Sequence, residues 1–328
     1  MRAVQYSAYG ELPVLLDLSD PVCPPGGAVV AVGATGVCRS DWHAWQGHDP
    51  VDLPHVPGHE FAGTVLEVGT GVERWQTGQR VTAPFVQGCG VCAFCRSGDA
   101  QVCPDQRQPG FTDPGSFAQR VVVHAADTNL VAVPDGLDDV TAASLGCRFA
   151  TAYRAVVAHG RIGEGQWLAV HGCGGVGLSA VMVGVALGAR VVATDISPAA
   201  LARAQELGAE VTVSAGPEVG EQLLELTVGG AHVSVDAIGT AEPSSGRCAP
   251  CVGGGGMCRS GCCSAPTPSR RCRWTSSSPA SSRSMARTGW PRTSTRRCSP
   301  SSSRAGCGPT GSSAAWCRSR RPALRWRS

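Results

Sequence analysis

Four cysteines stand in the run Cys89-x2-Cys92-x2-Cys95-x7-Cys103. Thiolates this close along a chain can complete a tetrahedral shell around zinc, and Gly88, Gly90 and Gly98 supply the turns that let the loop wrap the ion. A full sulfur shell leaves no position for a substrate, so the spacing points to a structural ion. An iron–sulfur cluster shares this spacing, and a disulfide pair is the third reading, disfavoured in a reducing compartment. A second set is dispersed: Cys38, His59 with Glu60 beside it, and Cys147. Two thiolates and one imidazole form a three-ligand zinc site with an open fourth position, the pattern of a catalytic metal. Singly, each has a plainer reading. Cys147 lies in an apolar, helix-like stretch that suits a small core side chain, and His59 follows a glycine, which suits a turn.

A third constellation is built for phosphate. The apolar run Trp167–His171 reads as a buried strand, followed by Gly172-Cys173-Gly174-Gly175-Val176-Gly177 and the helix-like Leu178–Leu187. A second strand, Arg190–Thr194, ends in Asp195. Strand, G-x-G-x-x-G, helix, strand and an acid about 20 residues on make the dinucleotide fingerprint. Gly172 allows the tight turn, Gly174 lets the backbone approach a pyrophosphate, and Gly177 packs helix on strand. The helix N-terminus that follows then offers free N–H groups to the phosphates, with Gly175 and Val176 in the loop counted among the cofactor-binding residues. Asp195 is placed to accept from the ribose hydroxyls, and its charge would repel a 2′-phosphate, so NAD is favoured over NADP.

The elements that must hold these groups differ along the chain. Up to about Leu130, short β-branched runs such as Gly27–Val32, Phe61–Gly69 and Phe117–Val123 are broken by Gly and Pro, predicting a mostly β domain. Beyond Gln166, strands alternate with helices. Ser197–Gly208 reads as a helix with a Ser N-cap, Pro in the first turn and a Gly stop. Glu210–Val213 and Val233–Ala237 read as two further strands, giving four of the roughly six that such a sheet has.

The order Gly36-Val37-Cys38-Arg39-Ser40-Asp41-Trp42-His43, Gly58-His59-Glu60, the four-cysteine lobe and Gly146-Cys147 resembles the zinc-dependent alcohol dehydrogenases of the medium-chain dehydrogenase/reductase superfamily. The resemblance covers roughly residues 1 to 242. It implies an α/β protein: a GroES-like, mostly β catalytic domain over residues 1–155, then the first part of a doubly wound Rossmann domain over 156–242. It implies that Cys38, His59 and Cys147 bind the catalytic zinc and Cys89, Cys92, Cys95 and Cys103 the structural zinc, two ions per chain with NAD as the second cofactor. Hydride would pass between a small alcohol and the nicotinamide, giving an aldehyde or ketone, with the zinc as Lewis acid. Ser40 resembles the hydroxyl that hydrogen-bonds the alcohol, and His43 the histidine that passes the proton outward. Without the resemblance, Ser40 reads as a turn hydroxyl and His43 as a surface histidine. Asp41 is expected to orient His59, Glu60 to tune the field at the metal, and Thr151 to pack against nicotinamide. Arg148 stands where well-known members carry a small residue, and its role is open. A homodimer or homotetramer is the implied assembly.

Whole-chain averages conceal a break. The 328 residues carry a formal charge of +3, yet all 25 acidic residues lie at or before Glu242 with 12 Arg, and the last 86 residues hold 16 Arg and no acid. The first part is therefore −13 and the tail +16. Nine of the 17 cysteines lie in the tail, whose few large aliphatics are Val252, Leu324 and two Met. Such a stretch cannot bury enough apolar surface to offset its ordering entropy. Three readings compete for residues 243–328: a basic arm for nucleic acid, a second metal module, or an out-of-frame translation. Regrouping GC-rich codons for Gly256–Cys263 by one base yields a strand-like apolar run, which favours a frameshift near Glu242–Gly246. In that case the sheet stops at four strands and leaves an open edge, lowering the stability of the whole chain.

A rival of another class is a non-catalytic zinc protein whose basic tail binds nucleic acid non-specifically. An acidic folded part argues against an evolved nucleic-acid footprint, so no specific nucleic-acid partner is expected. No apolar run approaches ~20 residues, which excludes a transmembrane helix, and Met1–Tyr6 lacks an apolar signal core, so a cytoplasmic protein with no membrane partner is expected.

Overall fold

The structure is a computed structural model, and residues 1–238 are described. The tail assigned to residues 243–328, with its nine cysteines and the reading-frame break expected at its start, lies outside the described residues.

The N-terminal part opens with an antiparallel hairpin of β1 (Arg2–Gln5) and β2 (Val14–Asp17). β3 (Ala28–Gly36) leads into the short helix α1 (Arg39–Trp45) and returns as β4 (Glu60–Val68), which pairs with β3 antiparallel. β5 (Arg80–Thr82), the one-turn helix α2 (Ala93–Arg96), β6 (Arg120–Val123), α3 (Ala126–Asn129) and β7 (Val131–Ala132) follow. The five strands form an antiparallel sheet in the order β6-β3-β4-β5-β7. One core packs Val30, Phe61, Val65, Val81 and Val121 from β3 to β6 with Trp75 from the β4–β5 connection. β6 begins at Arg120, later than the run from Phe117 suggests. The reason is local: the Phe117 amide donates to the Pro57 carbonyl and its own carbonyl accepts from Val4, which holds it in a loop against the site.

The connection between the two parts is helical. α4 (Asp139–Ser144) is capped by the Asp138 carboxylate, which accepts from the Thr141 amide. It continues through a π-helical segment, Leu145–Phe149, then α5 (Ala150–Tyr153) and a second π-helical segment, Arg154–His159. π-Helical turns are rare and concentrate at functional sites, and the first of these carries Cys147.

The C-terminal described part alternates β8 (Trp167–His171), α6 (Gly175–Ala186), β9 (Arg190–Asp195), α7 (Pro198–Glu206), β10 (Val211–Ser214), α8 (Val219–Leu226) and β11 (Val233–Asp236). Its four parallel strands lie in the order β10-β9-β8-β11. The order reverses between β8 and β11, the kind of switch point outside whose strand carboxyl ends open α/β sheets bind ligands. β8 is buried along its whole length, as the two-sided cover of a parallel sheet demands. One face packs on Val181, Val191 and Val233, the other on Val192, Val219 and Leu223. Among the described residues β11 pairs with β8 alone.

Candidate metal centre and nucleotide loop

Three elements converge on the first cluster. Cys38 is the N-cap of α1, and its amide donates to Asp41 Oδ2 at 2.8 Å, while Asp41 at N3 closes a capping box. The same carboxylate accepts through Oδ1 from the Gly58 amide at 3.1 Å and lies 2.9 Å from His59 Nδ1. Asp41 thus ties the start of α1 to the residue preceding β4 and fixes the imidazole so that Nε2 faces the cluster. Gly58 has φ +103°, and a Cβ there would meet the Phe117 amide at 2.6 Å, so glycine is required where the chain turns into His59. Cys147 arrives from the π-helical segment.

The donor atoms of Cys38, His59, Glu60 and Cys147 all lie within 4.8 Å of one another, and all four residues are buried. His59 Nε2 makes no well-formed hydrogen bond and is shielded from water. Phe111 and Phe85 wall the ring, with centroids at 5.1 and 6.2 Å. The hydrogen bond from Cys147 draws the Cys38 thiol down to about 3, against the opposing effect of burial, with His59 assisting. Cys147 moves the other way, raised by that same bond and then by burial. Burial works to lower His59, but Asp41 and the Cys38 thiolate outweigh it and raise the imidazole to about 10. Two sulfurs, one unpartnered imidazole nitrogen and a carboxylate-held ring are a donor set that fits zinc.

Glu60 is fully buried and both its oxygens are engaged by Arg148. Ser40 places Oγ 3.8 Å from the Cys38 sulfur. His43 leads away from the cluster: its Nδ1 lies 3.2 Å from Nδ1 of the exposed His48, and Trp42 stands edge-on to both rings. Thr151 lies half-buried on α5, one helical turn beyond Cys147.

The four-cysteine loop forms a second cluster, again with every sulfur within 4.8 Å of the others. Cys92 caps α2 by accepting from the Cys95 amide, and Gly90 and Gly98 take positive φ. The closest sulfur pairs are Cys92–Cys103 at 3.7 Å and Cys89–Cys95 at 4.0 Å, far beyond the ~2.05 Å of a disulfide. All eight cysteines among the described residues are free. The cluster is tied to the body of the domain by Asn129, which accepts from the Gly88 amide at 3.0 Å and donates to its carbonyl at 2.8 Å.

In the glycine-rich loop, Gly172 has φ +88° and sits against Ile238 beyond β11. Gly174 is the exposed N-cap of α6, with open space at its Cβ position. α6 starts at Gly175, so Gly175, Val176 and Gly177 form its first turn, earlier than the apolar run from Leu178 suggests. The expected contact of Gly177 with the strand is secondary: a Cβ there would run first into the Gly172 carbonyl, with Val170 next at 3.4 Å. The glycine therefore closes the turn on itself. Asp195 accepts from the Cys173 amide at 2.6 Å and the Ser197 amide at 2.8 Å. It pins the glycine-rich loop to β9, and a carboxylate retains further lone pairs for a ribose.

Sequence reasoning missed three groups: Phe85 and Phe111 around His59, the His48 partner of His43, and the Arg148–Glu60 pair. The arginine after Cys147 was a visible signal, but its partner, 88 positions earlier, was not.

Residues 24–135 match the alcohol dehydrogenase GroES-like domain family and residues 175–267 the zinc-binding dehydrogenase family, the second match continuing past the composition change at Glu242. An alcohol dehydrogenase of Geobacillus stearothermophilus is 36% identical over 222 residues, 67% of this chain and 65% of that protein. A second from the same organism is 33% identical over 72% of this chain and 69% of its own length. The chain thus spans about two thirds of the length of these relatives. Among solved structures, the alcohol dehydrogenase TADH from Thermus sp. ATN1 superposes with a TM-score of 0.69 at 32% identity, covering 74% of this chain and 71% of that one.

Proposed function

Because the chain belongs to the zinc-dependent alcohol dehydrogenases of the medium-chain dehydrogenase/reductase superfamily, we propose that it transfers hydride reversibly between a small alcohol and NAD, giving an aldehyde or ketone. The observation that carries this reading is the buried, unpartnered His59 Nε2 among the Cys38 and Cys147 sulfurs, in the same fold as a glycine-rich dinucleotide loop. Cys38, His59 and Cys147 hold the catalytic zinc, and Cys89, Cys92, Cys95 and Cys103 the structural zinc. Zinc in the first site supplies Lewis acidity toward the substrate oxygen.

The chain's own residues do the rest. Asp41 fixes the His59 ring and, with it, the direction of Nε2. Ser40, beside the Cys38 sulfur, takes the proton of the alcohol while giving up its own hydroxyl proton, and His43 passes that proton outward, with His48 next to it. The phenylalanine walls exclude water from the imidazole. Gly172, Gly174, Gly175, Val176 and Gly177 shape the turn and helix N-terminus that take the pyrophosphate, and Asp195 takes the adenosine ribose, which favours NAD. Thr151, half-buried on α5, would pack against the nicotinamide. Glu60 would provide a fixed negative charge near the metal.

In this reading the catalytic domain covers residues 1–155 and the nucleotide domain begins at 156. The assembly is a homodimer or homotetramer, the compartment is the cytoplasm, and there is no specific nucleic-acid partner. Among the described residues no helix is long and apolar enough to cross a membrane. Residues 243–328 are an out-of-frame product, and genomic sequencing across Glu242–Gly246 tests that, since an intact frame there would refute it. For the enzyme itself, NADH absorbance on adding a panel of alcohols is the test. Absence of turnover together with salt-sensitive retention on DNA would support the non-catalytic rival.

A further inference from the structure

Arg148 touches both halves of the site. Its side chain forks onto Glu60, with Nε donating to Oε1 at 3.1 Å and Nη2 to Oε2 at 2.8 Å, while its backbone amide reaches Oε1 at 3.3 Å. Glu60 is a potential ligand, since a carboxylate oxygen lies within 4.8 Å of the Cys38, His59 and Cys147 donors. A bidentate guanidinium occupies both oxygens in one plane and holds them in a fixed direction. The stem of the same side chain runs over the nucleotide loop. Arg148 Cδ fills the place a Cβ on Gly175 would take, with Cγ and Nε at 3.4 and 3.5 Å from that point. Gly175 is the first residue of α6, where free amides and the positive end of the helix attract phosphate. A guanidinium has five donors, and among the described residues Glu60 is the one partner bonded to this side chain. The side chain is one-third exposed.

We infer that Arg148 is a positioning residue that couples dinucleotide binding to the metal centre, holding Glu60 beside the metal rather than on it and presenting its remaining donors to the dinucleotide's phosphates at Gly175. This rests on the reading of Cys38, His59 and Cys147 as a metal site and of the glycine loop as a phosphate site. It gives the arginine at this position a purpose that a small residue could not serve. Without the fork, Glu60 is a buried, unpaired charge next to a cation and turns to it. Without the donors, the phosphates lose a charged partner.

The test uses the full-length chain loaded with Co2+ in place of zinc, with difference spectra against wild type cancelling the four-thiolate site. R148M is expected to shift the cobalt d–d bands toward higher coordination before any NAD is added, and to raise the NAD Kd by roughly tenfold, the loss of one charge-assisted hydrogen bond. The double variant R148M/E60Q is expected to regain the wild-type cobalt spectrum while keeping the weakened NAD binding. It also removes the unpaired buried charge, so it reports on NAD affinity even if R148M fails to fold. R148M with the wild-type spectrum and wild-type NAD affinity overturns the coupling, as does a spectral shift that persists in the double variant or a double variant with undiminished NAD affinity. A wild-type chain that gives no cobalt band from Cys38, His59 and Cys147 overturns the metal reading itself.

Discussion

The two cysteine clusters reach the same packing of donor atoms by opposite routes. The lobe of Cys89, Cys92, Cys95 and Cys103 draws its four sulfurs from one loop, three of them half-buried, and needs only glycine turns and a one-turn helix to close. The cluster of Cys38, His59 and Cys147 draws its donors from a helix N-cap, a strand entry and a π-helical turn, all buried, and two phenylalanines line it. The local cluster supplies four equivalent thiols and so completes its own shell. In the proposed reading the dispersed cluster supplies three ligands, and the fourth group within reach, Glu60, is engaged by Arg148. An ion in the first is a staple. An ion in the second would keep one side for chemistry, because three ligands leave the fourth position open.

That contrast orders the expected effects on turnover. H59A removes the central nitrogen of the dispersed cluster and should lower kcat/KM by about 10³-fold, the rate equivalent of several kcal/mol of lost charge stabilisation, with metal content falling from two ions to one. Elemental analysis beside an NADH assay reads both, and an H59A chain that keeps two ions would break the contrast. S40A should lower turnover on the order of 10²-fold with two ions retained, the range of a single proton-transfer group. Unchanged turnover would remove Ser40 from the proton path. D41N weakens the hold on His59 Nδ1 and should lower metal affinity at this site about 10- to 100-fold, read by chelator competition, while the four-thiolate site titrates as before. C92S comes last on turnover. The serine oxygen can still cap α2, so the expected losses are one ion and on the order of 10 °C in Tm, with turnover per folded molecule within about twofold. A large fall in kcat for C92S at full folding would mean that both clusters take part in the chemistry.

Legibility in the sequence followed the same division. The four-cysteine lobe was readable from spacing because its ligands are neighbours along the chain. The nucleotide loop was readable because strand, glycine turn, helix and acid are consecutive, and β8, α6, β9 and Asp195 stand as that order demands. The dispersed cluster was readable from residue types as one candidate set beside plainer readings, and the resemblance to a family singled it out. Nothing in Gly58-His59 shows that Asp41 will grip the ring at 2.9 Å, since the contact depends on α1 and β4 meeting. The Arg148–Glu60 fork was not readable, because it joins positions 88 residues apart through a π-helical turn that local propensity does not announce. Gly177 illustrates a smaller miss: the pattern correctly demanded glycine, but the atom that excludes a side chain belongs to the turn, not the strand.

The most direct test of the central claim is a paired measurement on the purified full-length chain: zinc per chain, and NADH formed on adding primary and secondary alcohols with NAD. Two zinc ions with alcohol-dependent NADH formation, lowered about 10³-fold by H59A together with the loss of one of the two ions, is the predicted result. Two ions bound in both proteins, or H59A turning over like wild type, would contradict the assignment of Cys38, His59 and Cys147 as the reacting centre.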